Sequence, residues 1–289
     1  MMLINQKRLS AYARLMRIDK PIGILLLLWP TLWALWIASA GHPSYLNLFV
    51  FIAGTILMRS AGCIMNDLAD RNFDGHVTRT EKRPLVAGEV TVKQALALAG
   101  IISLVSFGLV LFLNSLTILL SVPALFLAAS YPYTKRFFVL PQAYLGIAFG
   151  FGIPMAFAAV QNEVPLVAWL MLLANVAWSL AYDTEYAMVD RPDDLKIGIY
   201  SSAITFGRLE VVAIMTFYGV MLALLAYVGS LLNLGMLYSI GLIVALGIAI
   251  YHFSLIRNRQ PANCFKAFLH NNWLGAVIFI GIFANYLIE

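Results

Sequence analysis

A polytopic, all-α membrane bundle is the fold class this sequence predicts, and three observations predict it. Hydrophobic residues make up 62% of the 289-residue chain and charged residues only 11%, against about 25% charged in a typical soluble domain. The apolar residues gather into runs close to the ~20 residues that cross a bilayer as a helix. The Lys and Arg residues fall in alternate connections between those runs, as they do when positive charge is kept on one side of a membrane.

Nine spans follow, near 22–40, 46–66, 94–114, 116–134, 139–161, 164–182, 210–231, 234–254 and 271–288. Ahead of the first, a polar tail carries Lys7, Arg8, Arg14, Arg17 and Lys20. Ala38-Ser39-Ala40 has the look of a signal-peptidase site, but about 20 polar and amphipathic residues precede a run long enough to span, so the run is expected to stay as the first helix. The second span contains Arg59 and leads into the segment 67–93, with Arg71, Arg79, Lys82, Arg83 and Lys93. Lys135 and Arg136 follow the fourth span, Arg191, Lys196 and Arg208 follow the sixth, and Arg257, Arg259 and Lys266 precede the ninth. The intervening connections GHPSY, LNSLT, QNEVP and LLNLG hold no Lys or Arg. The N-terminus is therefore expected in the cytoplasm and Glu289 outside, which agrees with an odd number of spans.

The net charge of +5 is explained by this topology, so the expected partner is the lipid bilayer and not nucleic acid. No low-complexity linker divides the chain, and 1–289 reads as one membrane domain. Cys63 and Cys264 have neither metal-ligand nor disulfide spacing and are expected as unpaired thiols. His42, His76, His252 and His270 are scattered and suggest structural or interfacial roles.

Two segments on the positive side, 67–93 and 183–209, are far longer than the other connections and hold most of the chain's Asp, which marks them as functional. In Asn66-Asp67-Leu68-Ala69-Asp70-Arg71-Asn72-Phe73-Asp74, the carboxylates of Asp67, Asp70 and Asp74 fall within about 60° of one another around a helix. Asp183, Asp190 and Asp194 would likewise share a face, with Pro192 expected to bend or end the helix. The two clusters follow the second and sixth spans, a spacing that hints at a four-helix repeat. Such groups either solvate loops and pair with Arg71, Arg79 and Arg191, or hold a hard cation; Mg²⁺ takes one or two carboxylates while phosphate and water fill its other positions. A metal-bound diphosphate also needs direct cationic donors. Tyr131 and Lys135, at i and i+4, stand beside Arg136 at a helix end, and Arg59 lies inside an apolar span, where a charge is expensive and faces a cavity or partner. Arg17 and Lys20 flank the mouth of the first span, where they either anchor the interface or bind substrate.

NDLADRNFD resembles the NDxxDxxxD motif of the UbiA superfamily of intramembrane prenyltransferases, and Asp190-Arg191-Pro192-Asp193-Asp194 resembles its second DxxxD motif. RIDKPIG, KRPLVAG, YPYTKRF and the run from Lys196 to Ala203 are similar to the branch that prenylates 4-hydroxybenzoate. The resemblance spans nearly the whole chain, in family order. It implies nine helices around a central cavity that opens to the membrane and to the cytoplasm. It further implies Mg²⁺ held by Asn66, Asp67, Asp70 and Asp74 on one side and by Asp190 and Asp194 on the other. The Tyr131–Lys135 pair matches a family element near the reacting end, and Arg136 would contact the diphosphate of a polyprenyl donor or the acceptor carboxylate. Arg17, Lys20, Arg59, Asn66, Arg71, Arg83, Lys135 and Lys196 are the other expected substrate contacts. The implied reaction is polyprenyl transfer to the 3-position of 4-hydroxybenzoate, in ubiquinone synthesis at the bacterial inner membrane. Pro192, and Tyr200-Ser201-Ser202, depart from the commoner pattern without removing an implied ligand.

The Asp motifs report the donor and leave the acceptor open, so a naphthoate, haem or a chlorophyllide is the alternative within this class. A cation-coupled transporter would carry its acids near the bilayer midplane at broken helices, whereas these are expected at helix ends. The Asp-Gly and Ala-Arg pattern of CDP-alcohol phosphotransferases is absent.

Overall fold

Every regular element of the computed structural model, which describes residues 2–71, 80 and 82–288, is helical. The nine expected spans map onto α2 (Ile22–Ala38), α3 (Tyr45–Asp70), α4 (Val92–Val110), α5 (Ser115–Thr134), α6 (Pro141–Gly150) with α7 (Gly152–Gln161), α8 (Leu166–Ile197), α10 (Glu210–Leu231), α11 (Met236–Ile256) and α12 (Pro261–Ile288). Two helices were not foreseen: α1 (Met2–Leu15), in what read as a polar tail, and the short α9 (Ser202–Phe206) before α10. Among the described residues, eight stretches are long and apolar enough to cross a membrane, with α6 and α7, and α9 and α10, counted together; α2, at 17 residues, is shorter.

Local chemistry sets the helix ends. Ser44 caps α3 through Asn47, Thr91 and Gln94 form a reciprocal capping box on α4, and Asn114 caps α5; each supplies a side-chain acceptor to an amide that the helix leaves without a partner. The expected fifth span is broken at Phe151. A Cβ at Gly146 of α6 would lie 2.9 Å from the Val176 backbone, so glycine there lets α8 approach this closely.

From α2 to α5 each helix packs on the next, α6 and α7 both pack against α8, α8 packs on α10, and α12 follows α11 back to α2, closing a ring. Trp33 of α2 stacks on Trp178 of α8 at 5.3 Å in the main apolar core, while Ala11 and Leu15 of α1 join Ala61, Ile64 and Leu68 of α3 in a second one. Outward faces stay apolar, with Leu104, Phe112, Phe126 and Ile243 exposed, as lipid-facing helices require.

The expectation at Pro192 is corrected. α8 runs unbroken for 32 residues through Pro192 and ends only at Gly198, whose φ of 71° is left-handed. Proline removes one backbone donor, and five further helical residues follow before the cap. The 183–197 stretch, read from hydropathy as a loop, is therefore rigid helix, and the second acidic cluster rides on it.

Candidate active site

The two acidic clusters meet at one end of the ring. Asp67 and Asp70 lie in the last turn of α3, not beyond it. Asp67 is 1% exposed and is gripped by two arginines: Arg17 Nη2 at 3.0 Å and Arg83 Nη1 at 3.1 Å, both on Oδ1. Arg17 reaches it from a turn with φ 56°, a left-handed conformation that costs a non-glycine residue energy and recurs at functional sites. Asp67, expected as a metal ligand, is here engaged by two guanidinium groups through Oδ1.

Asp70 pairs with Lys135 Nζ at 2.5 Å. Lys135 also lies within electrostatic reach of Asp183, as do Asp190 and Arg59, with Gln142 beside the carboxylate. Tyr131 has Asp70, Asp183 and Arg59 as its charged neighbours. Lys135 thus stands between the end of α3, where it pairs with Asp70, and the Asp183 carboxylate of α8. Arg136 donates to the Ala69 carbonyl at 2.8 Å, fixing the α5 end to the α3 end.

Below the charges lies an apolar cavity between α2, α3, α4, α5, α6 and α7. Its lining runs along α3 from Gly62 to Val50 and along α4 from Ser106 to Val110, about 18 Å at helical rise. Arg59 and Tyr131 line it where it meets the acidic site. The Arg59 guanidinium lies 5.1 Å from the Phe149 ring centre, and a Cβ at Gly23 would come within 2.6 Å of its Nη2. Among the described residues Arg59 has no carboxylate within ion-pair distance.

Other expected contacts are not gathered here. Arg71 is exposed and donates to the Leu68 carbonyl at 2.8 Å. Lys196 is exposed and pairs with Asp193 at 3.0 Å, while Lys20 is exposed at the start of α2. Arg191 points to the buried Glu210, 3.9 Å away. Asp74, Arg79 and His76 lie outside the described residues. Asn66, Asp190 and Asp194 are half-buried at the site. Cys63 and Cys264 are buried, unpaired thiols.

Asn66, Asp70, Asp190 and Asp194 offer oxygen donors only, the set that suits Mg²⁺. Among the described residues no three acidic, His or Cys side chains gather closely enough to hold a metal unaided. A cation here would need phosphate or water oxygens to complete its shell, the usual state of Mg²⁺.

Sequence reasoning missed a buried polar cluster on the far side of α8. Glu185 Oε1 accepts from the Tyr218 hydroxyl at 3.0 Å and Oε2 from Asn271 Nδ2 at 2.9 Å. Asn271 Oδ1 accepts from Trp178 Nε1 at 2.8 Å, and His252 lies 3.0 Å from both Tyr218 and His270. The only local signal was an acid two residues after Asp183, and it read as loop.

The sequence matches the UbiA prenyltransferase family over residues 27–275. The 4-hydroxybenzoate octaprenyltransferase of Methylobacillus flagellatus is 67% identical over 97% of this chain and 95% of its own length. That of Azoarcus sp. is 66% identical over 97% and 98%. Among solved structures, the apo form of a UbiA homolog from Aeropyrum pernix K1 is 25% identical, covers 89% of this chain and 97% of that one, and has a TM-score of 0.78. A UbiA homolog from Archaeoglobus fulgidus, solved with GPP and Mg²⁺, shares the fold at 17% identity over 96% and 99%, with a TM-score of 0.72.

Proposed function

Since the chain belongs to the UbiA prenyltransferase family, and is by its helices a multi-pass membrane protein, we propose that it moves the polyprenyl group of a polyprenyl diphosphate to the 3-position of 4-hydroxybenzoate. The observation that carries this reading is the junction itself: two acidic helices with Lys135 between them, set directly above a long apolar cavity with a cation at its mouth. Relatives at 66% and 67% identity, named for this reaction, support the choice of acceptor.

Mg²⁺, held by Asn66, Asp70, Asp190 and Asp194 with Asp74 as a further donor, would supply positive charge to the donor diphosphate. The chain's own cations do the rest of the electrostatic work. Lys135 and Arg136 face the leaving diphosphate and favour it as its charge grows. Arg17 and Arg83, held by Asp67, add to the same field. The donor's allylic C–O bond breaks, the ring carbon ortho to the hydroxyl bonds to the allylic carbon, and the ring proton leaves to a carboxylate or to the released diphosphate. The cavity shelters the isoprenoid and excludes water that would quench the cation.

Arg59 is the residue we assign to the acceptor carboxylate. A guanidinium in an apolar span is expensive; Arg59 shares the field of Asp183 with Lys135 and has no direct ion pair among the described residues, and an incoming benzoate would supply one. Gly23 and Phe149 hold it in place. On this reading 1–289 is a single domain of nine spanning helices, with the short α2 as the first, in a bacterial inner membrane. The N-terminus and the active site face the cytoplasm, the C-terminus faces outside, and the product feeds ubiquinone synthesis.

The test is product analysis with purified protein, Mg²⁺, a polyprenyl diphosphate and four acceptors: 4-hydroxybenzoate, a dihydroxynaphthoate, haem and a chlorophyllide. Preference for another acceptor would overturn the assignment. Arg59→Gln should raise the KM for 4-hydroxybenzoate about tenfold to a hundredfold, the worth of one charge-assisted bond, and leave any turnover of its methyl ester unchanged.

A further inference from the structure

The buried cluster around Glu185 takes no part in the reaction described above, yet it grips the helix that carries half the site. At 100° per residue, Asp183, Asp190 and Asp194 fall within about 40° on one face of α8, and Glu185 lies about 160° from Asp183. Trp178 and Glu185, seven residues apart, share that opposite face. Asn271 of α12 holds both: its Oδ1 accepts from Trp178 and its Nδ2 donates to Glu185. Tyr218 of α10 donates to the other oxygen of Glu185.

Tyr218 has a single proton and three polar neighbours: Glu185 Oε1 at 3.0 Å, Asn271 Oδ1 at 2.9 Å and His252 Nδ1 at 3.0 Å. When the proton goes to Glu185, His252 Nδ1–H donates to the Tyr218 oxygen and His252 Nε2 accepts from His270 Nδ1–H. Through these contacts three helices are tied to one azimuth of α8.

The buried positions of α8 mix small residues, Ala174, Ala177, Ala181 and Ala187, with large ones, Met171, Trp178, Tyr182 and Met188. The hydrogen bonds of Glu185 add a directional constraint that apolar contacts lack. Buried ionic groups are a poor route to stability, since apolar substitutes of the same volume often do as well or better. Their best-attested use is to fix register. Metal-binding carboxylates need that fix, because a constellation must be held within about 0.5 Å and 10–20° to work.

We propose that Glu185 is a positioning residue: through Tyr218 and Asn271 it sets the rotation of α8 and so aims Asp190 and Asp194 at the divalent cation and diphosphate. This rests on the reading of those two acids as cation donors.

The test compares Glu185→Leu and Glu185→Gln in the full-length protein in nanodiscs. Gln can accept from Asn271 and donate to the Tyr218 oxygen, while Leu can do neither. Mn²⁺ serves as a spectroscopic probe, and its Kd is measured by paramagnetic resonance with a non-hydrolysable prenyl diphosphate analogue and no acceptor. Expected are a tenfold or larger rise in the Mn²⁺ Kd and in the Mg²⁺ concentration for half-maximal turnover for Glu185→Leu, with Glu185→Gln within about twofold of wild type. Tyr218→Phe, which conserves volume, should reproduce the Leu effect and serves where Glu185→Leu does not fold. A role in stability alone would lower the melting temperature and leave both cation readouts unchanged in the folded fraction, and that result overturns the proposal. Wild-type protein that binds no Mn²⁺ would instead overturn the assignment of the acids, and this inference with it.

Discussion

The two acidic half-sites do the same kind of work with opposite constructions. At the end of α3, the carboxylates are held by cations from three other parts of the chain: Arg17 after α1, Arg83 before α4 and Lys135 at the end of α5. On α8, three carboxylates are placed by one continuous helix, and the segment's own cations turn elsewhere, Arg191 toward Glu210 and Lys196 to Asp193. The first half-site draws ion pairs from three separate segments. In the second, one helix carries all three acids, so its orientation moves them together whatever partners each one has. Substitutions should separate these two constructions.

The largest effect should come from removing one donor on each side. Asp70→Asn and Asp190→Asn should each lower Mg²⁺-dependent prenyl transfer about a hundredfold or more, the scale seen when a charged group at a reacting centre or its support is lost. Both proteins should remain folded, checked by monodispersity in detergent. If either variant turns over near the wild-type rate, the two halves do not act as one site.

Asp67→Asn should move stability instead of cation dependence. It leaves Arg17 and Arg83 facing each other across a buried position, and breaking one side of a buried ion pair costs about 3 kcal/mol or more. The effect is expected at the low end, because the Arg17 side chain is 26% exposed. Thermal unfolding in detergent measures it. An Asp67→Asn protein of unchanged stability that needs far more Mg²⁺ would assign Asp67 to the metal.

Much of this arrangement was legible in the sequence because acids are rare in it. With 14 acidic residues in 289, two clusters at the ends of apolar runs stand out, and alternating Lys and Arg place them at the same end of the bundle. What stayed hidden depends on long-range partners. Asp67 looks like Asp70 until Arg17, 50 positions earlier, closes on it. Glu185 meets Tyr218 and Asn271 from 33 and 86 positions away, and no local pattern announces such a pair. The extension of α8 was missed because hydropathy falls at Asp183, where the helix leaves the apolar layer without ending. Charge content reports where a helix meets water, not where it stops.

The smallest effect is expected at Lys196, and it tests whether α8 is the rigid carrier described above. By sequence, Lys196 lies two residues from Asp194 and stands with the substrate contacts. On an unbroken helix it falls about 140° away from the face shared by Asp183, Asp190 and Asp194, where it is exposed and meets Asp193 at i and i+3. Exposed pairs of this kind are worth ~0–1 kcal/mol and weaken with salt. Lys196→Ala should therefore change turnover and donor KM by no more than about twofold, whereas Lys135→Ala, which removes the cation between the half-sites, should cost far more. A tenfold loss at Lys196 would mean that the last turn of α8 unwinds to bring the ammonium onto the diphosphate. The second half-site would then close on its substrate, as the first, locked by its ion pairs, does not.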